Sequence, residues 1–419
     1  MIFDVERARA HFPALHRRTS RGTVPVFFDN PAGTQVPQQV IDAITGYFLT
    51  MNANSGGRFA TSERNDAMVQ RVREKMADFL GASRPEEIVF GQNMTTLNFA
   101  LSRALGCDLR PGDEIVVTRM DHDANIAPWL RLADDRGLVV RWVDIRPGDA
   151  TLDFDSLEAA LTGRTRIVAT VHASNAVGTI NAVDRIAGMA HAANALHVVD
   201  AVQSAPHVPI DVQAIGCDFL LCSSYKFYGP HLGILWGRYD LLASLPAYKV
   251  RPAHDEPPHR WETGTLAFEL IAGLGATLDY LASYGDDDPA EAPAATGEDS
   301  RAGRYKRAMR RLQAFERELV AHLLDVLERM PKVRIAGITD RARLHERVPT
   351  VVFTVDGYTS AQVAERLARE DIYVWDGDYY AMEIMKRLGH AIDGMVRVGL
   401  AHYNTHQEID RLEAALRQL

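Results

Sequence analysis

The chain has 419 residues, 47% of them hydrophobic and 24% charged, with a net charge of −9 at pH 7. That is globular composition, long enough for two domains, and it contains no basic tract suited to a nucleic-acid backbone. No uninterrupted apolar run spans a bilayer, residues 1–6 lack the basic and apolar regions of a signal peptide, and three cysteines without metal-site spacing fit a reducing compartment. A cytoplasmic protein with no metal site and no nucleic-acid or membrane partner is therefore expected.

In chain order, residues 1–24 read as an amphipathic, partly basic helix that packs on another domain. Residues 27–28 form a short strand running into a turn at Ala32 and Gly33. Small residues there let backbone approach a ligand, or simply turn the chain at the surface. The polar loop 52–58 ends in Arg58, free to meet a substrate anion or solvent. Residues 62–80 have helical period, and 87–91 form a strand. Next comes a polar turn containing Asn93, Met94 and Thr95, with a helix over 97–105. Such a turn at a helix N-terminus cradles phosphate through free N–H groups, although Asn and Thr also simply cap helices.

A strand over 113–118 leads to His122, placed either to stack on a planar ring or to satisfy a loop. Residues 139–143 are a strand, 156–161 a helix and 167–171 a strand. The last of these ends in a turn carrying Asn175, which suits a phenolic oxygen, a carboxylate or turn chemistry. Residues 184–195 are helical. Two apolar runs then end in polar residues: 196–199 in Asp200, and 219–222 in Ser223, Ser224, Tyr225 and Lys226. Both read as buried strands, and ligands of an α/β sheet sit beyond the carboxyl ends of its strands. An acid and a lysine so placed are what pyridoxal phosphate needs: an amine to hold its aldehyde, and a carboxylate to keep its ring nitrogen protonated.

The alternation of strand and helix from 85 to 235 predicts a mostly parallel, doubly wound sheet. A returning strand follows at 233–236 and a long apolar helix at 267–284. The domains expected are a large one over 25–284, an acidic flexible insertion over 285–303, and a smaller α/β domain over 304–419. The smaller domain begins with a helix over 305–330. Strand, helix, strand and helix follow at 350–355, 360–370, 395–400 and 406–419.

Six motifs occur together: Met120-Asp121-His122-Asp123-Ala124-Asn125, His172-Ala173-Ser174-Asn175, Val199-Asp200-Ala201-Val202-Gln203-Ser204, Ser223-Ser224-Tyr225-Lys226, Glu262-Thr263-Gly264-Thr265 and Arg397-Val398-Gly399. In this order and spacing the chain resembles the class V aminotransferase group of fold-type I pyridoxal-phosphate enzymes. Within that group it is most similar to cysteine desulfurases and selenocysteine lyases. The resemblance implies a large domain with a mostly parallel seven-stranded-type sheet and a smaller C-terminal α/β domain. It implies that Lys226 forms the Schiff base and moves protons, that Asp200 pairs with the pyridinium nitrogen, that Gln203 meets the phenolic oxygen and that His122 stacks on the ring. Asn93, Met94, Thr95, Ser223 and Tyr225 would surround the phosphate. Thr265 would reach the phosphate of a partner subunit in a homodimer. Asn175 and Arg397 would take a substrate carboxylate, the arginine by its bidentate fork.

The resemblance also exposes a departure. Desulfurases carry a nucleophilic cysteine on a mobile loop, and Tyr380 stands at the matching position, next to Tyr379. A phenol does not accept sulfane sulfur as a thiolate does. The reading is a pyridoxal-phosphate enzyme acting on a small amino acid without forming a persulfide. A C–S lyase on a cysteine-derived substrate comes first. An aminotransferase or amino-acid epimerase is the alternative, and a non-catalytic pyridoxal-phosphate-binding protein the third.

Overall fold

A computed structural model describes residues 3–286 and 300–419. Of the acidic insertion expected over 285–303, residues 287–299 lie outside the described residues.

The larger sheet has seven strands, in the spatial order Ile88–Gly91, Gly233–Gly237, Phe219–Ser223, Leu196–Asp200, Thr165–Val171, Glu114–Thr118 and Val139–Val143. Gly233–Gly237 runs antiparallel to both its neighbours, and the remaining pairs are parallel. Leu196–Asp200 and Phe219–Ser223 are apolar because helices or loops cover both faces, so nearly every residue is buried. The winding reverses between Glu114–Thr118 and Thr165–Val171, and a doubly wound sheet opens a crevice at such a switch point.

A second, wholly antiparallel sheet holds Val333–Ala336, Thr350–Val355, Met395–Gly399 and Trp375–Gly377 in that order. Only Thr350–Val355 and Met395–Gly399 were expected from the sequence. The other two are short and half-exposed, so they carry little periodic signal. The helix Arg301–Glu328, about 40 Å long at 1.5 Å per residue, is common to both cores. Its Tyr305, Met309 and Leu312 pack with the larger sheet, and its Leu319, Leu323 and Leu327 with the smaller.

The N-terminal segment is not one helix. Val5–Ala10 is helical, Phe12 turns extended before Pro13, and a 3₁₀ turn, Pro13–His16, follows. Arg9 ties the segment to the far end of the chain through the Tyr403 carbonyl at 2.7 Å and Glu408 at 2.9 Å. Val26–Phe27 then pairs in parallel with Ile372–Tyr373, beside the smaller sheet. Glu262, from the Glu-Thr-Gly-Thr motif, is a buried anchor. It takes Arg73 at 2.8 Å and the Phe90 N–H at 3.0 Å, fixing the strand that leads to the phosphate-type turn. No described helix is long and apolar enough to cross a membrane.

Candidate active site

The carboxyl edge of the larger sheet gathers the predicted residues. Asp200 and Ser223 each end a strand. Lys226 follows Ser223 in a 3₁₀ turn, and Asn93 caps the helix Met94–Leu105 just past Ile88–Gly91. Asn93, Met94, Thr95, His122, Asn175, Asp200, Gln203, Ser223, Tyr225 and Lys226 all line one narrow slot of about 80 Å³, with Val171, Ala173 and Val202 as apolar walls.

At the slot's polar end, Ser223 Oγ accepts the Met94 N–H at 3.0 Å, and Asn93 Oδ1 accepts the Thr96 N–H at 2.8 Å. Among the described residues the Thr95 N–H has no partner, so the helix N-terminus keeps a donor for an anion. The turn can lie this close to the sheet only because residue 233 is glycine: a Cβ there would sit 2.4 Å from the Asn93 carbonyl carbon. The expected helix start at 97 was three residues late. The polar turn is itself the first helical turn, because Asn93 is its cap.

At the opposite end, burial raises the Asp200 carboxyl to about 6, against a backbone hydrogen bond from Val202 and the charge of Lys226. Burial likewise lowers the Lys226 amine to about 7, helped by the charge of Arg397 and opposed by Asp200. A large fraction of this amine is therefore unprotonated at neutral pH. It donates to the Pro31 carbonyl, and its nitrogen lies 4.9 Å from the centre of the Tyr225 ring. Gly33 lies behind that ring, where a Cβ would come within 3.2 Å of it. Burial holds His122 down to about 4, so it is neutral. Its Nδ1 accepts the Ala124 N–H at 3.0 Å, which leaves the proton on Nε2.

The slot opens into an outer chamber of about 900 Å³ that shares Thr95, His122, Ala124, Asn175, Tyr225 and Lys226 with it. Ala32, Tyr379, Tyr380 and Arg397 also line this chamber. Arg397 is buried, donates to the Asn175 carbonyl at 2.9 Å and lies 4.2 Å over the Tyr379 ring. It makes no ion pair among the described residues, and its Nε has no partner. The Asn175 Nδ2 donates to the Tyr379 carbonyl at 3.1 Å, while its Oδ1 is unpaired, as is Gln203 Oε1. Buried polar atoms without partners are rare in native folds, and here they border one cavity. Of these atoms Arg397 Nε is a donor and fits a ligand carboxylate, while the two amide oxygens call for donors on a ligand.

Three predicted residues lie elsewhere. Gly33 sits behind the Tyr225 ring, Arg58 and Thr265 are exposed, and none of them lines the slot or the chamber of a single chain. Sequence reasoning missed several chamber residues: Pro31, Asp123, Asp376, Asp378 and Ile392. Ile392 arrives through a bridge between Gly377 and Gly394, and no local pattern announces such a contact. Trp375 lies opposite Arg397 in the antiparallel register, so the two side chains share a face.

None of the three cysteines lines either cavity. Cys217 and Cys222 are buried, their thiols pushed well above the usual range by burial, and Cys107 donates to the Arg103 carbonyl.

A family model described as Aminotransferase class-V matches residues 26–296 and 305–412. The chain belongs to the class V aminotransferase family. It is 32% identical to a cysteine desulfurase of Serratia proteamaculans, across 100% of this chain and 99% of that one. It is also 32% identical to a probable cysteine desulfurase of Streptomyces coelicolor, covering 98% and 96%. Among solved structures, the apo cysteine desulfurase of Thermococcus onnurineus superposes with a TM-score of 0.86 at 28% identity, covering 100% of this chain and 98% of that one. The desulfurase CsdA of Escherichia coli gives 0.83 at 27% identity, covering 100% and 98%. The class V chain is thus a cysteine desulfurase-like, fold-type I enzyme whose cofactor is pyridoxal phosphate. The slot fits that cofactor: an unpaired N–H at a helix N-terminus for the phosphate, an amine for the aldehyde and a buried acid for the ring nitrogen.

Proposed function

We propose that this class V enzyme cleaves the Cβ–S bond of a cysteine-derived amino acid by elimination, rather than passing sulfur to a thiol of its own. The observation that carries the reading is one cavity system holding Lys226, Asp200 and Arg397 while all three cysteines lie outside it. In net terms the substrate and water give a free thiol, pyruvate and ammonium. The C–S electron pair leaves on sulfur, the Cα proton is released to a base, the thiolate gains a proton, and nothing is oxidised or reduced.

Bound in the slot, pyridoxal phosphate supplies the electron sink that makes the substrate Cα–H acidic. Lys226 would hold the aldehyde and, once displaced from it, would take the proton from Cα. A conjugate-acid value near 7 suits that task at neutral pH. Asp200 would keep the ring nitrogen protonated. The neutral His122 would lie against the ring, and Gln203 would meet the phenolic oxygen. Asn93, Met94, Thr95, Ser223 and Tyr225 would hold the phosphate. Arg397, with Asn175, docks the α-carboxylate. Tyr379, beneath the Arg397 guanidinium, walls the substrate site, and Tyr380, exposed at the mouth, protonates the departing sulfur. A homodimer is part of the same proposal, with Thr265 and Arg58 reaching the partner's site. Support comes from exposed Ile41, Phe48, Leu49 and Phe59, an apolar group on and beside the helix Gln38–Thr50.

Product analysis tests the reaction. Holoenzyme given cysteine or an S-alkylcysteine should release pyruvate and the thiol or sulfide in equal amounts. Alanine as the product would mean sulfur abstraction, and a sulfur-bearing 2-oxo acid would mean transamination. Either would overturn the proposal.

A further inference from the structure

Besides Arg397, the chamber has a chemistry of its own. Arg397 is only 4% exposed, borders the chamber and keeps its Nε donor without a partner, so it can take a carboxylate. A side chain of an amino acid held there shares the chamber with the roof residues. The roof carries Asp123, Asp376 and Asp378, none of which forms an ion pair among the described residues. The one lysine acting on Asp123, Lys386, is already spent on Glu383 at 2.7 Å. Burial, followed by the charges of Glu383 and Asp378, raises the Asp123 carboxyl above its ordinary value, so negative charge is crowded here. Trp375 and Tyr380, 48% and 71% exposed, add aromatic faces to the same wall. Carboxylates interleaved with aromatic faces attract cations and repel anions.

We infer that the outer chamber selects an amino acid whose side chain ends in a positively charged group, such as a protonated amine. The inference rests on the C–S cleavage reading of the same site and names the substrate class for it. A substrate so bound sets its carboxylate on Arg397 and its cation on the acids of the same chamber.

Three near-isosteric probes separate the charge from the shape: S-aminoethylcysteine, S-propylcysteine and S-carboxymethylcysteine. Each is titrated into holoenzyme by the change in cofactor absorbance, and pyruvate is measured alongside. The expected result is that the aminoethyl compound binds about tenfold or more tightly than the propyl compound and the carboxymethyl compound binds worst. Added salt should narrow the gap. The double variant D376N/D378N should erase the preference without loss of fold, because an amide side chain at position 378 keeps an oxygen where Asp378 Oδ1 now accepts the Tyr380 N–H at 2.9 Å. Equal binding of the three, or preference for the carboxymethyl compound, overturns the inference; continued pyruvate release would then leave the C–S cleavage reading standing. A cofactor spectrum unmoved by these probes but moved by cysteine also overturns it. Binding with the expected preference but no pyruvate supports the charge selection while refuting the cleavage.

Discussion

The slot and the chamber above it are built in opposite ways. In the slot, polar groups sit at the ends of buried strands or on a capped helix, so the sheet fixes them. The chamber roof is a loop with two consecutive non-glycine residues in the left-handed region, Tyr379 at φ 55° and Tyr380 at φ 56°. Each such residue costs about 1 kcal/mol or more. The loop holds because the Tyr380 N–H donates to Asp378 Oδ1, its carbonyl accepts the Asp123 N–H at 2.7 Å, and the Tyr379 hydroxyl donates to the Met395 carbonyl. The sheet fixes the slot, and in the reading proposed above the strained loop sets what enters.

That division can be broken at several points. Lys226→Ala should remove the visible absorbance of the bound cofactor and lower turnover more than about 10³-fold. Retention of both would mean that the slot does not work through this amine. Arg397→Lys should leave the cofactor spectrum intact yet lower kcat/KM by about 100-fold, because an ammonium loses the two-pronged grip on a carboxylate. A matching loss of cofactor would instead tie Arg397 to the slot.

The pH dependence of cofactor uptake by the apoprotein probes the same amine. Only the unprotonated form attacks an aldehyde, and burial lowers Lys226 from 10.5 to about 7. The rate should therefore climb about tenfold per pH unit below 7 and level off above it. A rate still climbing through pH 9 would show an ordinary lysine. The smallest effect expected is that of Gly233→Ala. Its Cβ would press on the Asn93 backbone, so it should cost about 1–3 kcal/mol in thermal unfolding and weaken retention of the cofactor while leaving selectivity among substrates unchanged.

The same division governed what could be read from the chain. Asp200 ends one almost wholly buried strand and Lys226 follows another, and their apolar runs end visibly in polar residues, so their meeting at one edge was legible. Thr95 was legible as a turn residue, but its place inside the helix rested on the Asn93 cap. Asp123, Asp376, Asp378 and Ile392 were not legible as neighbours. They meet through the Gly377–Gly394 bridge and the Trp375–Arg397 register, contacts between distant, non-periodic segments. The helix Gln38–Thr50 was missed because only Val40 and Tyr47 are buried, too few to draw an apolar stripe. Arg58 and Thr265 stay outside the cavities of one chain, so the roles proposed for them require a second one.

The sharpest measurement is the intact mass of holoenzyme quenched during turnover of cysteine. With Cys107, Cys217 and Cys222 all off the cavity walls, the polypeptide should carry no added sulfur while pyruvate and sulfide accumulate. A protein heavier by one sulfur atom, with alanine in solution, would contradict the account.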